Sequence, residues 1–234
     1  MRKTSVGLAG IVSAAISLAF AVPANAATSV LYVPDSFNSA LSDTRATGHY
    51  EVVATGLHIY TESNTNTDKV AEYVDTNTLL AAVGEPSLDY TNTAGGIPGA
   101  QLIVDFDYDG TADGILIGEP GAYGDDWWLS NSAAQFVKDA APSHTGGSGS
   151  ANHGTLDQWR TAFPNAAVTA FGFSLGSGVK GDGVLNAINF AGTRYTFGTQ
   201  IVLAGKDNCK KDGWETSTSP VFKNMGDCVS SFAS

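Results

Sequence analysis

Past residue 26, the apolar residues of this chain come in short runs, each soon stopped by glycine, proline, asparagine or aspartate. Most of these runs are too short for a helix of ordinary length, so the chain is driven toward strands joined by turns. "SVLYV", beginning at Ser29, ends at Pro34-Asp35, and "VAEYV", beginning at Val70, follows the polar loop "TESNTNTDK". "HYEVVATGLHIYTE", residues 49–62, alternates in part and reads as one long strand kinked at Gly56. "PSLDYTNTAGGIPGA" ends in a glycine-rich turn before "QLIVDF" begins. Later, "AAVTAFGFSLGSG", "VLNAINFAG" and "TRYTFGTQIVLAG" supply three more strands at close spacing. The fold class that follows is all-β, a two-sheet β-sandwich or jelly roll.

Two short helices interrupt the strands. Ser130 or Asn131 is placed to cap "SAAQFVKDA". Thr155 and Gln158 form a T-x-x-Q capping box over "LDQWRTAF", where Leu156, Trp159 and Phe163 share one face and Pro164 marks the end. Between the two, "PSHTGGSGSANHG" has the composition of a flexible surface loop.

The first 26 residues read as a secretory signal peptide: Arg2 and Lys3, an apolar stretch over residues 6–20, then an A-x-A site at Ala24-Asn25-Ala26. The stretch falls short of the ~20 residues a membrane span needs, and no second one follows. The mature chain of about 208 residues has room for a β-sandwich domain at 27–205 and an appendage at 206–234. Loss of Arg2 and Lys3 moves the net charge from −11 to −13. A field of that sign argues against nucleic acid and anionic lipid as partners and favours cations.

The only cysteines, Cys209 and Cys228, are expected to pair in an oxidising extracellular setting. Closing that loop removes unfolded-state entropy worth roughly 3 kcal/mol. Zinc is the alternative, but no histidine follows His153 to complete a site. Trp214 and Phe222 are available to dock the tail.

The densest charge lies in "VDFDYDGTADGILIG", residues 104–118. Asp105, Asp107, Asp109, Gly110 and Asp113 match D-x-D-x-D-G-x-x-D in full. Alternate carboxylates with a sharp turn at Gly110 can wrap oxygens around one hard cation, with the Thr111 carbonyl as a further ligand. The bidentate glutamate of an EF-hand is missing, since Leu116 stands at the twelfth position. A solvated acidic turn is the other reading. Calcium, held structurally in a hairpin loop, is the expectation.

"EPGAYGDDWWLSN" is the second cluster. Trp127 and Trp128 on one strand point to opposite faces, so one enters the core and the other is free to sit beside Tyr123, Asp125 and Asp126. An exposed indole next to acidic acceptors suits a sugar ring. Glu119, Asp125 and Asp126 are also candidates for a glycosidase carboxylate pair, with His144 and His153 nearby. "GFSLG" matches G-x-S-x-G around Ser174, but the glycine-rich "GSGVKGDG" after it starts no helix and no histidine follows. "GSGVKG" fails as a G-x-G-x-x-G loop for want of the same helix. Both read as a glycine-rich turn between strands.

The nine residues from Asp105 to Asp113 resemble the calcium loops of FG-GAP repeats, as in integrin α-chain propellers, where an aliphatic run also follows. They occur once, so the resemblance does not imply a propeller. "GEPSLDY", "DDWWLSNSAAQFVKDAAP", "GTLDQWRTAFPNAAVTAFGFSLGSGVKGDG" and "INFAGTRYTF" resemble secreted actinobacterial proteins without an assigned activity. "CKKDGWETSTSPVFKNMGDCVSSF" resembles a short C-terminal element of such proteins, which implies that its two cysteines pair. These likenesses imply an extracellular location and a β-sandwich, and bring no catalytic residues with them.

The expectation is therefore a secreted, calcium-stabilised binding or surface module for an extracellular glycan or cell-wall polymer. A polysaccharide-active enzyme using the carboxylates near Trp127, and a structural envelope or matrix protein, are the rivals.

Overall fold

In the computed structural model, which describes residues 27–147 and 149–233, the short apolar runs become twelve strands in two sheets. The signal peptide read at 1–26 lies outside the described residues. The strands are β1 (Ala27–Val33), β2 (Gly48–Val53), β3 (Gly56–Thr61), β4 (Lys69–Leu79), β5 (Ser87–Gly95), β6 (Gly99–Asp105), β7 (Gly114–Gly118), β8 (Asp126–Leu129), β9 (His153–Thr155), β10 (Ala167–Gly176), β11 (Gly181–Phe190) and β12 (Thr193–Thr199). Four short helices accompany them: α1 (Pro120–Tyr123), α2 (Gln135–Asp139), α3 (Leu156–Ala162) and α4 (Met225–Ser231).

The second sheet runs β4-β10-β6-β7-β8-β9, every neighbour antiparallel. The first sheet is organised around β11. One edge of β11 carries β5 along nearly its whole length. Its other edge is divided: β3 pairs with Asp182–Leu185 and β12 with Ile188–Phe190. Beyond these lie β2, and β1 running parallel to β12 from Ala27↔Thr193 to Val33↔Thr199. An all-β sandwich is what the turn-punctuated sequence called for.

The core fills the space between the sheets. Val168, Phe171, Phe173 and Leu175 of β10 meet Leu57 and Ile59 of β3 and Leu185, Ile188 and Phe190 of β11. Phe171 stacks on Phe190 with centroids 4.2 Å apart. Each such side chain contributes about 1.5–3 kcal/mol by leaving water. A smaller cluster of Ala71, Tyr73, Ile103 and Ala170 lies on the other face of β4, β6 and β10, with Leu41 against it. The segment around Leu41 runs beside the outer edge of β4, where the amides of Asn38, Asp43 and Arg45 donate to Tyr73, Ala71 and Lys69 carbonyls.

The capping box forms as read: Thr155 Oγ1 accepts from the Gln158 amide, and the Gln158 side chain accepts from the Thr155 amide. Leu156 and Trp159 are buried on the face predicted for them. Trp159 Nε1 donates to the Trp127 carbonyl at 3.0 Å and ties α3 to β8.

Several local expectations are corrected. Residues 49–62 form a hairpin of β2 and β3 rather than one kinked strand, because the chain reverses at Ala54-Thr55 and both halves alternate. "VAEYV" is part of an eleven-residue strand. "SLDYTNTAG" is a full strand, β5. The helix at "QFVKD" begins at Gln135 with no side-chain cap, since Ser130 Oγ instead accepts from the Ile115 amide. Ser174 sits inside β10 rather than in a turn, and the last strand stops at Thr199 instead of reaching Gly205.

Cys209 and Cys228 are joined by a disulfide. They are buried with Phe222 in a third cluster, against which Leu203, Trp214, Val229 and Phe232 pack. Trp214 and Phe222 thus serve the tail's own cluster.

Candidate functional site

The acidic loop connects β6 to β7, the hairpin arms expected from "QLIVDF" and "GILIG". Its base is rigid because Phe106, 2 % exposed, packs on Phe163 at 4.8 Å and Trp159 at 5.8 Å. Asp105 is buried, and its two oxygens accept from the Asp109 amide (3.1 Å) and the Gly110 amide (2.7 Å). The chain curls through positive φ at Tyr108 and again at Gly110, where glycine meets no steric penalty. Asp105, Asp107 and Asp109 each bring a carboxylate oxygen within 4.8 Å of the others. Asp113 lies outside that trio of carboxylates, its Oδ2 accepting from the Phe106 amide, and the Thr111 amide donates to Asp109 Oδ1. Partial desolvation, and then the charges of Asp109, Asp113 and Asp105, hold the Asp107 carboxyl above its ordinary range. A divalent cation is the counter-charge such a trio suits.

The tryptophans divide as the two-residue period requires. Trp127 is buried and lies flat across Gly118 of β7, where any Cβ would come within 2.9 Å of the indole. Trp128, half-buried on the opposite face, donates from Nε1 to Glu119 Oε2 at 3.0 Å and stacks with Tyr123 at 5.9 Å. Asp126 Oδ2 meets His153 Nδ1 at 2.7 Å, and His153 Nε2 reaches the Thr145 carbonyl at 2.9 Å. The Thr145 carbonyl first, and Asp126 second, raise the His153 pKa. With both ring nitrogens held by acceptors, His153 ties the 143–152 segment to β8 and has no free nitrogen for proton transfer.

The described residues of that segment are tied to the sheet by hydrogen bonds. The Tyr123 hydroxyl accepts from the Gly149 amide and, at 2.7 Å, from the Ser150 amide. Gly149 lies against Tyr123 and Trp128, and His144 pairs with Asn152 at 3.1 Å. The aromatic pair on this face is therefore partly covered by the protein itself.

On the other face the sheets part at the edge. A cleft of about 700 Å³ opens between β5 of the first sheet and β7–β8 of the second. Trp127 forms its floor. Leu88, Tyr90 and Asn92, alternate residues of β5, form one wall, and Ile97, Pro98, Pro120 and Leu156 contribute to the rest. Glu85, Asp125 and Asp157 stand at the rim, and Asp126 lines it while its carboxylate turns to His153. Arg160 pairs with Glu85 (3.0 Å) and Asp157 (2.7 Å), whereas Asp125 is exposed and has no partner among the described residues. Tyr90 lies across Gly183 with its hydroxyl buried and unpartnered, and burial, with the charge of Asp182, pushes its pKa up to about 12.

No family model, curated protein or solved structure matches this chain. The likenesses drawn from its motifs stand on the quoted residues alone.

Of the site residues expected from sequence, Asp125, Asp126 and Trp127 line the cleft, while Tyr123 and Trp128 lie on the partly covered face. Leu88, Tyr90, Ile97 and Leu156 were not legible as site residues. The alternation of Leu88, Tyr90 and Asn92 in "SLDYTN" is the signal that points to them. Among the described residues no helix is long and apolar enough to cross a membrane.

Proposed function

We propose that this protein is a secreted extracellular binding module whose ligand enters the cleft floored by Trp127, with calcium at the Asp105, Asp107 and Asp109 trio stapling the β6–β7 hairpin. The observation that carries the reading is the cleft: an apolar, aromatic-floored gap between two sheets with unneutralised carboxylate at its mouth. Such concave apolar sites with a few convergent polar groups are where ligands are held. The signal-peptide pattern and the disulfide support an extracellular setting.

The expected glycan platform, which would fall to Trp128 as the tryptophan outside the core, has less support, because Tyr123 and residues such as Gly149 and Ser150 partly cover that face. A carboxylate-based enzyme has less support too, since Glu119 binds Trp128 and Asp126 binds His153. The test is fluorescence of the mature chain titrated with an uncharged, polarity-sensitive naphthalene dye. Leu88→Trp, which fills the cleft, should abolish the change that Trp127 reports. Dye binding unaffected by Leu88→Trp, in a variant that still folds, would refute the cleft as the site.

A further inference from the structure

We propose that the cleft takes an extended basic peptide, docked as an additional strand on the free edge of β5, with apolar side chains over Trp127 and lysines or arginines at the acidic rim. The proposal rests on the cleft being the binding site and names what enters it.

Three observations converge on this occupant. First, β5 pairs only with β11, so its other edge carries no strand among the described residues. An unpaired edge presents alternating N–H and C=O groups, which template another chain. Such edges are ordinarily guarded by charge or proline. Here "SLDYTNTAG" holds a single charge, Asp89, and it is engaged by Arg194 at 2.5 Å and by Asn186.

Second, Leu88, Tyr90 and Asn92 all face the cleft. A strand added beside them would place every second side chain over the same gap. The lining there, from Pro86, Leu88, Ile97, Pro98 and Trp127, matches apolar side chains.

Third, the rim is acidic. Glu85, Asp125 and Asp157 face only Arg160 as a counter-charge among the described residues, on a chain whose net charge is −11, while the Asp126 carboxylate turns to His153 on the other face of β8. A peptide alternating apolar and cationic residues satisfies edge, walls and rim together. A neutral glycan satisfies the carboxylates but matches neither the apolar walls nor the ~3.3 Å repeat of a strand edge.

The test uses the mature chain and an acetylated, amidated heptapeptide with lysine at odd positions and valine or phenylalanine at even ones. Calorimetric titration should show binding that weakens as salt rises, and amide exchange should slow along Ser87–Gly95. Replacing the lysines by glutamates, or N-methylating the amides of one peptide edge, should weaken binding by about tenfold or more. Asp125→Asn, at an exposed position that leaves the fold alone, should weaken the lysine peptide and reduce its salt dependence. Equal affinity for the N-methylated peptide would overturn strand addition, and equal affinity for the glutamate peptide would overturn the role of the rim. A neutral glucose hexasaccharide binding in a manner abolished by Leu88→Trp, with no peptide binding, would retain the cleft and refute the peptide. If the dye, the peptides and the sugar all bind regardless of Leu88→Trp, or none binds, the cleft reading falls with the proposal.

Discussion

Removing the Cys209–Cys228 bridge should release the tail while leaving the sandwich intact. The bridge spans 19 residues of sequence, which in the chain-entropy view stabilises the folded tail by roughly 3 kcal/mol. Little else competes with that figure. The third cluster buries only Phe222 and the two cysteines fully, with Leu203, Trp214, Val229 and Phe232 partly covered. One buried phenylalanine supplies about 1.5–3 kcal/mol. Ordering each backbone residue costs roughly 1–2 kcal/mol. Without the cross-link the tail is left marginal, as small disulfide-closed units generally are.

The perturbation is the double variant Cys209→Ala, Cys228→Ala, and the assay is amide exchange resolved by residue. Amides bonded inside the tail, Thr218 to the Ile201 carbonyl and Cys228 to the Asn224 carbonyl, should lose about two orders of magnitude of protection. The Leu129 amide, bonded to the Asn152 carbonyl in the sandwich, should keep its own. Parallel loss at Leu129 would refute the reasoning, because the tail would then unfold with the sheets as one unit. Unchanged tail amides would refute it equally.

Three further outcomes follow from local geometry. Calcium at about 100 times its Kd should stabilise the chain by about 2.7 kcal/mol, or roughly 5–10 °C in melting temperature, relative to EDTA. Asp107→Asn with Asp109→Asn should erase that shift and raise the melting temperature in EDTA, and a calcium shift surviving the pair would place the ion elsewhere. Thr155→Ala removes the cap of α3 and should cost about 1 kcal/mol by denaturant melting, with Thr155→Ser restoring most of it. Asp68, buried and accepting from Ser63, Thr47 and Thr65, has its pKa held well below the carboxylate range by those bonds. Its contribution is complete above the unfolded value near ~3.9 and declines as pH falls through and below it. A thermal melt series from pH 5 down to 2 should therefore be flatter for Asp68→Asn than for the parent chain.

What the sequence disclosed depended on how far apart the interacting residues lay. Apolar runs such as "QLIVDF" and "GILIG", and the capping box at Thr155 and Gln158, act within a few residues and were legible. β5 was legible only in part, because the alternation of Leu88 and Tyr90 fades into threonine and asparagine and the strand is completed by pairing with β11, some ninety residues on. The Ser130 cap failed for a related reason: a distant amide, that of Ile115, claimed the hydroxyl first. Trp127 and Asp125 were singled out from their own neighbourhood. The wall opposite them, Leu88 and Tyr90, comes from another sheet: their alternation marks an inward face, but that this face meets Trp127 emerges only once the two sheets are stacked.

The parallel pairing of β1 with β12 has a mechanical meaning. The chain comes into β1 at Ala27, beside Thr193, and leaves β12 at Thr199, beside Val33. Opposed pulls applied at Ala27 and beyond Thr199 therefore drag the two strands past each other lengthwise. All the hydrogen bonds of that seven-residue register share the load at once, where a hairpin pulled at its open end would unzip one bond at a time. The seam between first strand and last is thus a shear clamp, and the sheets behind it are shielded from tension carried along the chain.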